Sequence, residues 1–212
     1  MKKAVIFDMD GVVSDTQKIH SRIWSLVLGK YGINISPEEI TYRLAGEKVE
    51  EAFGSLLKEY GLESFLGKAL DEKERLMQEP RQRVVKPVKG IKILLKKLYR
   101  DGRDIALATG SAMASAERVL AALEIRDYFK VLVTADDVTK GKPDPEIYIK
   151  AAEKLGRSPA DCVVVEDARN GMLAAKLAGM TCIGLLPEDF PKENYPADRF
   201  VSELGQLSVE DF

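Results

Sequence analysis

AVIFDMDGVV, residues 4–13, sets the reading of the whole chain. Four apolar, strand-forming residues run straight into Asp8 and Asp10, two carboxylates one residue apart. In an extended segment, side chains at i and i+2 point the same way. Asp8 and Asp10 are therefore expected as neighbours, and two anions held side by side repel. A divalent cation bound through oxygen ligands is the simplest way to offset that repulsion.

Outward from this stretch, short β-rich runs recur at 105–108, 131–134, 162–165 and 182–185, with a weaker one at 199–201. Between them lie KGIKILLKKLYRDG, SAERVLAALEI, PEIYIKAAEKLG and ARNGMLAAKLAG. Each carries apolar residues at three- and four-residue spacing, and three run into a glycine, the common helix stop. Strand–helix alternation of this kind predicts an α/β fold, a doubly wound, Rossmann-like parallel sheet with helices on both faces. The alternation lapses once. From 15 to 84 the text is helical throughout: KIHSRIWSLVLGKYG, SPEEITYRLAG, VEEAFGSLLKEYG and SFLGKALDEKERLMQ. Ser36 followed by Pro37 and two glutamates marks a helix start. The expectation is a catalytic α/β domain of residues 1–14 and 85–212, interrupted by a helical domain of residues 15–84.

Composition narrows the function classes. With 212 residues, the chain fits one full core and a modest insertion, since an average domain has about 150. Hydrophobic residues make up 45%, enough for a sizeable core. The 32 basic and 34 acidic residues nearly cancel, which argues against a nucleic-acid partner. The apolar run after MKK is too short for a signal peptide, and no run could span a membrane. Cys162 and Cys182 sit in apolar stretches without metal-ligand spacing and read as buried thiols. A cytoplasmic protein, monomeric or weakly dimeric, is the expectation.

In an open parallel sheet, ligands bind beyond the carboxyl ends of the strands. There the sequence places Asp8 and Asp10 after the first strand and Thr109, Gly110 and Ser111 after the second. Glu166 and Asp167 follow the strand at 162–165, and Lys142 precedes a Pro-Asp-Pro turn in KGKPDPE. Up to four carboxylates, a hydroxyl beside exposed backbone N–H groups and one ammonium suit phosphate chemistry. Carboxylates can hold magnesium. Thr109 and the amides of Gly110 and Ser111 can donate to phosphate oxygens, and Lys142 can neutralise developing charge. One Asp can attack phosphorus while the other moves the proton. Each piece alone is an ordinary turn or helix cap; the order of all four at strand ends is what carries weight.

FDMDGVVSDT, ATGS, GKPDP and VVEDARNGMLAAKLAGM together resemble the four motifs of the haloacid dehalogenase-like hydrolase superfamily. The resemblance spans essentially the whole chain and makes the helical block an all-helical cap. It implies Asp8 as nucleophile, Asp10 as general acid/base, and Thr109 and Lys142 on the transferring phosphoryl group. It further implies magnesium held by Asp8, the backbone carbonyl of Asp10, and Asp167, with Glu166 close by. A second Asp in the first motif sets the chain apart from the dehalogenases, whose halide leaving group needs no proton. The implied substrate is a small phosphorylated metabolite.

Within that superfamily the chain is most similar to β-phosphoglucomutase and related sugar-phosphate phosphatases, including Asp15, Thr16 and His20 in DTQKIH. The mutase has Lys before the central glycine of its cap loop and Arg three residues after it. Here RLAGEKVEE puts Ala45 before Gly46 and Val49 at the later position. A mutase must hold a second phosphate, for which such cations serve. Their absence favours a phosphatase, with Arg43 or Lys48 as the groups that would have to substitute. His20 is a candidate partner of Asp10, and Gly46, Glu47 and Lys48 are candidate substrate contacts in the cap loop. Trp24 reads as cap core. A calcium loop is excluded because Val12, Val13 and Ile19 occupy the positions that need ligands and glycine. A Walker loop, a G-x-G-x-x-G turn and a G-x-S-x-G elbow are all missing.

Overall fold

The computed structural model describes residues 4–45, 48–77 and 85–212. Six parallel strands form one sheet in the order β3-β2-β1-β4-β5-β6. They are β1 (Ala4–Phe7), β2 (Asp104–Ala108), β3 (Val131–Val133), β4 (Cys162–Glu166), β5 (Thr181–Leu185) and β6 (Arg199–Val201). The central strand β1 is buried at every position, as a parallel strand covered on both faces must be. Its alternate residues serve two different cores. Val5 and Phe7 pack with Leu94, Leu95 and Leu98 of α5 (Ile91–Arg100) and Val119 and Leu120 of α6 (Met113–Ala122). Ala4 and Ile6 face Ile147, Tyr148 and Ala151 of α7 (Glu146–Leu155) and Met172 and Ala175 of α8 (Arg169–Leu177). The period-two pattern of the strand thus becomes a three-layer core.

The expected strand at 131–134 is one residue shorter. Thr134 leaves the ladder because its N–H and hydroxyl both donate to Asp137 Oδ2, at 2.9 and 3.1 Å, opening a short helical turn. Ser36 starts its helix as expected, its hydroxyl accepting from Glu39 N at 3.1 Å.

Between β1 and β2 lie α1 (Gln17–Gly29), α2 (Pro37–Leu44), α3 (Val49–Glu59) and α4 (Leu66–Met77). They enclose a third apolar cluster of their own, in which Trp24 stacks on Phe53 with ring centroids 4.2 Å apart. The chain enters and leaves this helical cap side by side, Asp15 N donating to Lys86 O at 2.9 Å and Val88 N to Val13 O at 3.1 Å. The boundary expected at 84/85 falls at the edge of residues 78–84, outside those described. No helix among the described residues is long and apolar enough to cross a membrane, and Cys162 and Cys182 are both buried and unbridged.

Successive connections carry β2 and β3 to one side of β1 and β4, β5 and β6 to the other. The order reverses between β1 and β4, and a ligand crevice opens at the carboxyl ends of strands flanking such a reversal.

Candidate active site

Asp8 follows β1 directly, its N–H held by Val165 O of β4 at 3.0 Å, so its carboxylate projects into that crevice. Lys142 arrives there from the loop before α7 and is fully enclosed. Its ammonium donates to Asp8 Oδ1 at 2.6 Å, Glu166 Oε1 at 2.8 Å and Ala108 O at 3.2 Å, using all three of its protons. It also lies 4.9 Å from the centre of the Tyr148 ring. Glu166 is the anchor of this arrangement, accepting in addition from Tyr148 OH at 3.1 Å and Ala168 N at 2.7 Å.

Oxygens of Asp8, Glu166 and Asp167 lie within 4.8 Å of one another. Three carboxylates meet one ammonium, so the cluster is short of positive charge. Burial pushes the Asp8 carboxyl up to about 8, with the charges of Glu166 and Asp10 adding to the shift and Lys142 opposing it. Burial likewise raises Asp167, helped by Glu166, Asp8 and Asp10. Gly11, at φ +95°, makes room for this crowd: a Cβ there would sit 1.9 Å from Asp167 Oδ2.

Asp10 does not join the cluster. The strand has already ended at Phe7, so the i, i+2 rule no longer holds across Asp8 and Asp10. The Asp10 side chain instead turns toward the cap, where Thr16 Oγ1 donates to Oδ1 and Ser111 Oγ to Oδ2 at 3.2 Å. His20 Nε2 lies 3.3 Å from Oδ1. Burial disfavours the Asp10 charge, but His20, Thr16 and Ser111 outweigh it and hold the carboxyl down at about 2. The two carboxylates thus sit in different hydrogen-bonding environments.

A pocket joins the two. It is lined on the core side by Asp8, Asp10, Thr109, Gly110 and Ser111, and its cap wall includes His20, Trp24, Leu44, Ala45 and Val49. The cavity itself is small, about 50 Å³, beneath a mouth open to solvent. Thr109 Oγ1 accepts from Ser111 N at 3.1 Å, which fixes the turn that carries Gly110. Trp24 belongs to the cap core as expected, yet its indole N–H is buried without a partner among the described residues, and the residue lines the pocket.

Two expected substrate contacts do not reach this pocket. Arg43 pairs with Glu59 at 2.5 Å and Glu39 at 3.6 Å, in a separate polar hollow beside Arg169, Asn170 and Asn194. Lys48 turns its ammonium to Val138 O at 3.1 Å. Gly46 and Glu47 lie outside the described residues. Conversely, Tyr148 and Lys73 were not singled out from the sequence. Tyr148 sits in a run whose apolar spacing explains it as core. Lys73 of α4 is nearly buried, which lowers its pKa, and is close enough to Asp10 for that charge to oppose the shift.

The crevice, its acid cluster and the cap above it are those of one family. Residues 5–185 match the model of the haloacid dehalogenase-like hydrolases, and the chain belongs to that family. Among characterised relatives it is 36% identical to a β-phosphoglucomutase of Bacillus subtilis, over 98% of this chain and 92% of that protein. It is 35% identical to a phosphorylated carbohydrates phosphatase of Thermotoga maritima, over 84% of this chain and 82% of that one. Among solved structures, a β-phosphoglucomutase of Clostridium difficile superposes with a TM-score of 0.88 at 28% identity, covering 100% of this chain and 95% of that one.

Proposed function

We propose that this protein is a magnesium-dependent phosphatase that hydrolyses a small phosphomonoester, a sugar phosphate or a phosphoglycolate-like compound, through an aspartyl-phosphate at Asp8. The observation that carries the proposal is the enclosed Asp8 carboxylate, gripped by Lys142 at 2.6 Å at the base of a pocket whose opposite wall is the cap. An Asp8 oxygen attacks phosphorus as the bond from phosphorus to the ester oxygen breaks, and Asp10 gives its proton to the departing alkoxide. Water then attacks the same phosphorus, Asp10 takes the water's proton, and the bond to Asp8 breaks to release phosphate. Asp10 is ionised in the free protein, the form needed for the second half. A phosphate dianion placed beside it raises its pKa and loads the proton needed for the first.

Thr109 and Gly110 offer donors to the phosphoryl oxygens where negative charge builds. Lys142 has no free proton, so its part is to aim Asp8 Oδ1 and balance charge. The hard, oxygen-only donor set of Asp8, Asp167 and Glu166 fits magnesium, with the Asp10 carbonyl as a further ligand. Bound there, the ion would supply positive charge against the phosphate and the crowded carboxylates. Glu166 is already engaged three ways and serves first to hold Lys142. A reducing cytoplasm fits the unbridged thiols.

Hydrolysis rather than phosphoryl shuttling is favoured by the cap wall: no lysine or arginine lines the pocket among the described residues. The second reading, a β-phosphoglucomutase-type mutase, is supported by the mutase relatives. Free phosphate should appear from at least one of glucose 6-phosphate, fructose 1-phosphate and phosphoglycolate with magnesium, and not in excess chelator. Given β-glucose 1-phosphate and a trace of its 1,6-bisphosphate, free phosphate should outpace glucose 6-phosphate. Isomer forming much faster than phosphate would reverse the choice.

A further inference from the structure

We infer that Glu51, on the cap, is a positioning residue that latches the closed cap onto the segment carrying Lys142. Residues 139–141 present three successive backbone N–H groups. Glu146 of α7 takes the first two, its Oε2 accepting from Thr139 N and Lys140 N, both at 2.9 Å. The third is answered from across the cleft. Gly141 N donates to the two oxygens of Glu51, in the first turn of α3, at 3.1 and 3.2 Å. Among the described residues it has no other acceptor. Gly141 is buried, so without Glu51 the closed cap would strand this N–H away from water.

The fit at this point is close. A Cβ on residue 141 would lie 2.6 Å from Lys48 Cβ, and 2.8 Å from both Lys48 N and Glu51 Oε2. Only glycine lets the start of α3 seat against the loop. Lys48 adds a second strut to the same loop through Val138 O at 3.1 Å. When the cap lifts, water can replace Glu51 as acceptor. Glu51 therefore acts on the balance between closed and open cap, not on the reacting atoms. Closure brings Leu44, Ala45 and Val49 over the pocket and keeps bulk water from the substrate. The Lys142 ammonium is held by core groups alone, so it keeps its place in either state.

The kinetic consequence rests on the phosphatase reading; the latch itself does not, and two measurements separate them. The first is hydrogen exchange of the Gly141 amide by NMR, with magnesium and inorganic phosphate present. Exchange should be slow in the wild type and in Glu51→Gln, whose amide oxygen still accepts. In Glu51→Leu it should be about 10- to 100-fold faster, the scale of a buried donor losing its partner. The second compares kcat/KM for the best sugar phosphate with that for acetyl phosphate, whose small, activated leaving group needs little from the cap. Glu51→Leu and Gly141→Ala should lose about tenfold or more on the sugar phosphate and stay within about twofold on acetyl phosphate. Glu51→Gln should remain near wild type on both. Unchanged Gly141 exchange in Glu51→Leu, or equal losses on the two substrates, would overturn the inference. A wild type that hydrolyses neither substrate would count against the phosphatase reading and leave the exchange result standing.

Discussion

Asp8 and Asp10 are two residues apart in sequence and several pH units apart in their pull on a proton. Burial among Glu166 and Asp167 drives Asp8 to about 8, while His20, Thr16 and Ser111 hold Asp10 at about 2. The division of labour proposed for them has distinct signatures. Asp8→Asn should show no measurable turnover and no phosphoenzyme. Asp10→Asn should lose about 10²- to 10⁴-fold, the usual worth of a general acid/base, when hydrolysis of a sugar phosphate is followed. The same contrast makes stability depend on pH. Unfolded, Asp8 ionises near its ordinary 3.8; folded and metal-free, it keeps its proton up to about 8. Between those values the folded state binds more protons than the unfolded one, so stability falls as pH rises. Asp167 works in the same direction, and the lowered Asp10 acts only below this window. The melting temperature of metal-free protein should therefore drop from about pH 5 to about pH 8, and magnesium, which favours the ionised carboxylates, should restore it. A metal-free melting temperature that rises across that range would contradict the cluster's electrostatics. The sequence brings both carboxylates to the pocket at the end of β1. Their different surroundings could not be read from it, because the groups that hold them, Lys142 on Asp8 and Thr16, His20 and Ser111 on Asp10, come from segments far apart or outside the strand.

At the scale of elements, glycine positions in helices distinguish structure from function. Gly171 lies in the first turn of α8, and a Cβ there would meet Glu166 Oε1 at 1.5 Å. Alanine is the better helix former by about 1 kcal/mol, yet here it would push the carboxylate that holds Lys142. Gly171→Ala should lower the melting temperature, on the scale of about 1–3 kcal/mol for overpacking, and reduce hydrolysis with it. Gly54 of α3 is the control, since its added Cβ would find only Leu66 Cδ2 at 3.7 Å. Gly54→Ala should raise the melting temperature, by about 0.5–1 kcal/mol in stability, without changing activity. The elements themselves were legible: every expected strand is present within a residue or so, and each helical text of the cap became a helix, because their apolar periods match the faces they bury. Tyr148 was not legible. Its position in IYIKAA satisfies the same apolar spacing as its neighbours, and only the fold shows its hydroxyl reaching Glu166 at 3.1 Å.

On the whole molecule, the site exists only between cap and core. β1, β2 and β4 deliver Asp8, Thr109 and Glu166 to one end of the sheet, and α1 and α2 close the pocket from above with His20, Trp24 and Leu44. Motif spacing could place the core groups because strand ends are fixed by the sheet. It could not place Arg43 and Lys48, whose direction depends on how the cap sits: one is spent on Glu59 and Glu39, the other on Val138 O. The central claim is that a phosphoryl group passes through Asp8. The most direct measurement incubates Asp10→Asn protein, in which departure of the phosphoryl group is slowed, with magnesium and acetyl phosphate. Acid quenching and borohydride reduction, which converts an aspartyl-phosphate to homoserine, then precede peptide mass analysis. Homoserine at position 8, absent when chelator is included and absent in the Asp8→Asn, Asp10→Asn double variant, is the predicted result. Steady release of phosphate by the wild type with no modification at Asp8, or with modification at another residue, would contradict it.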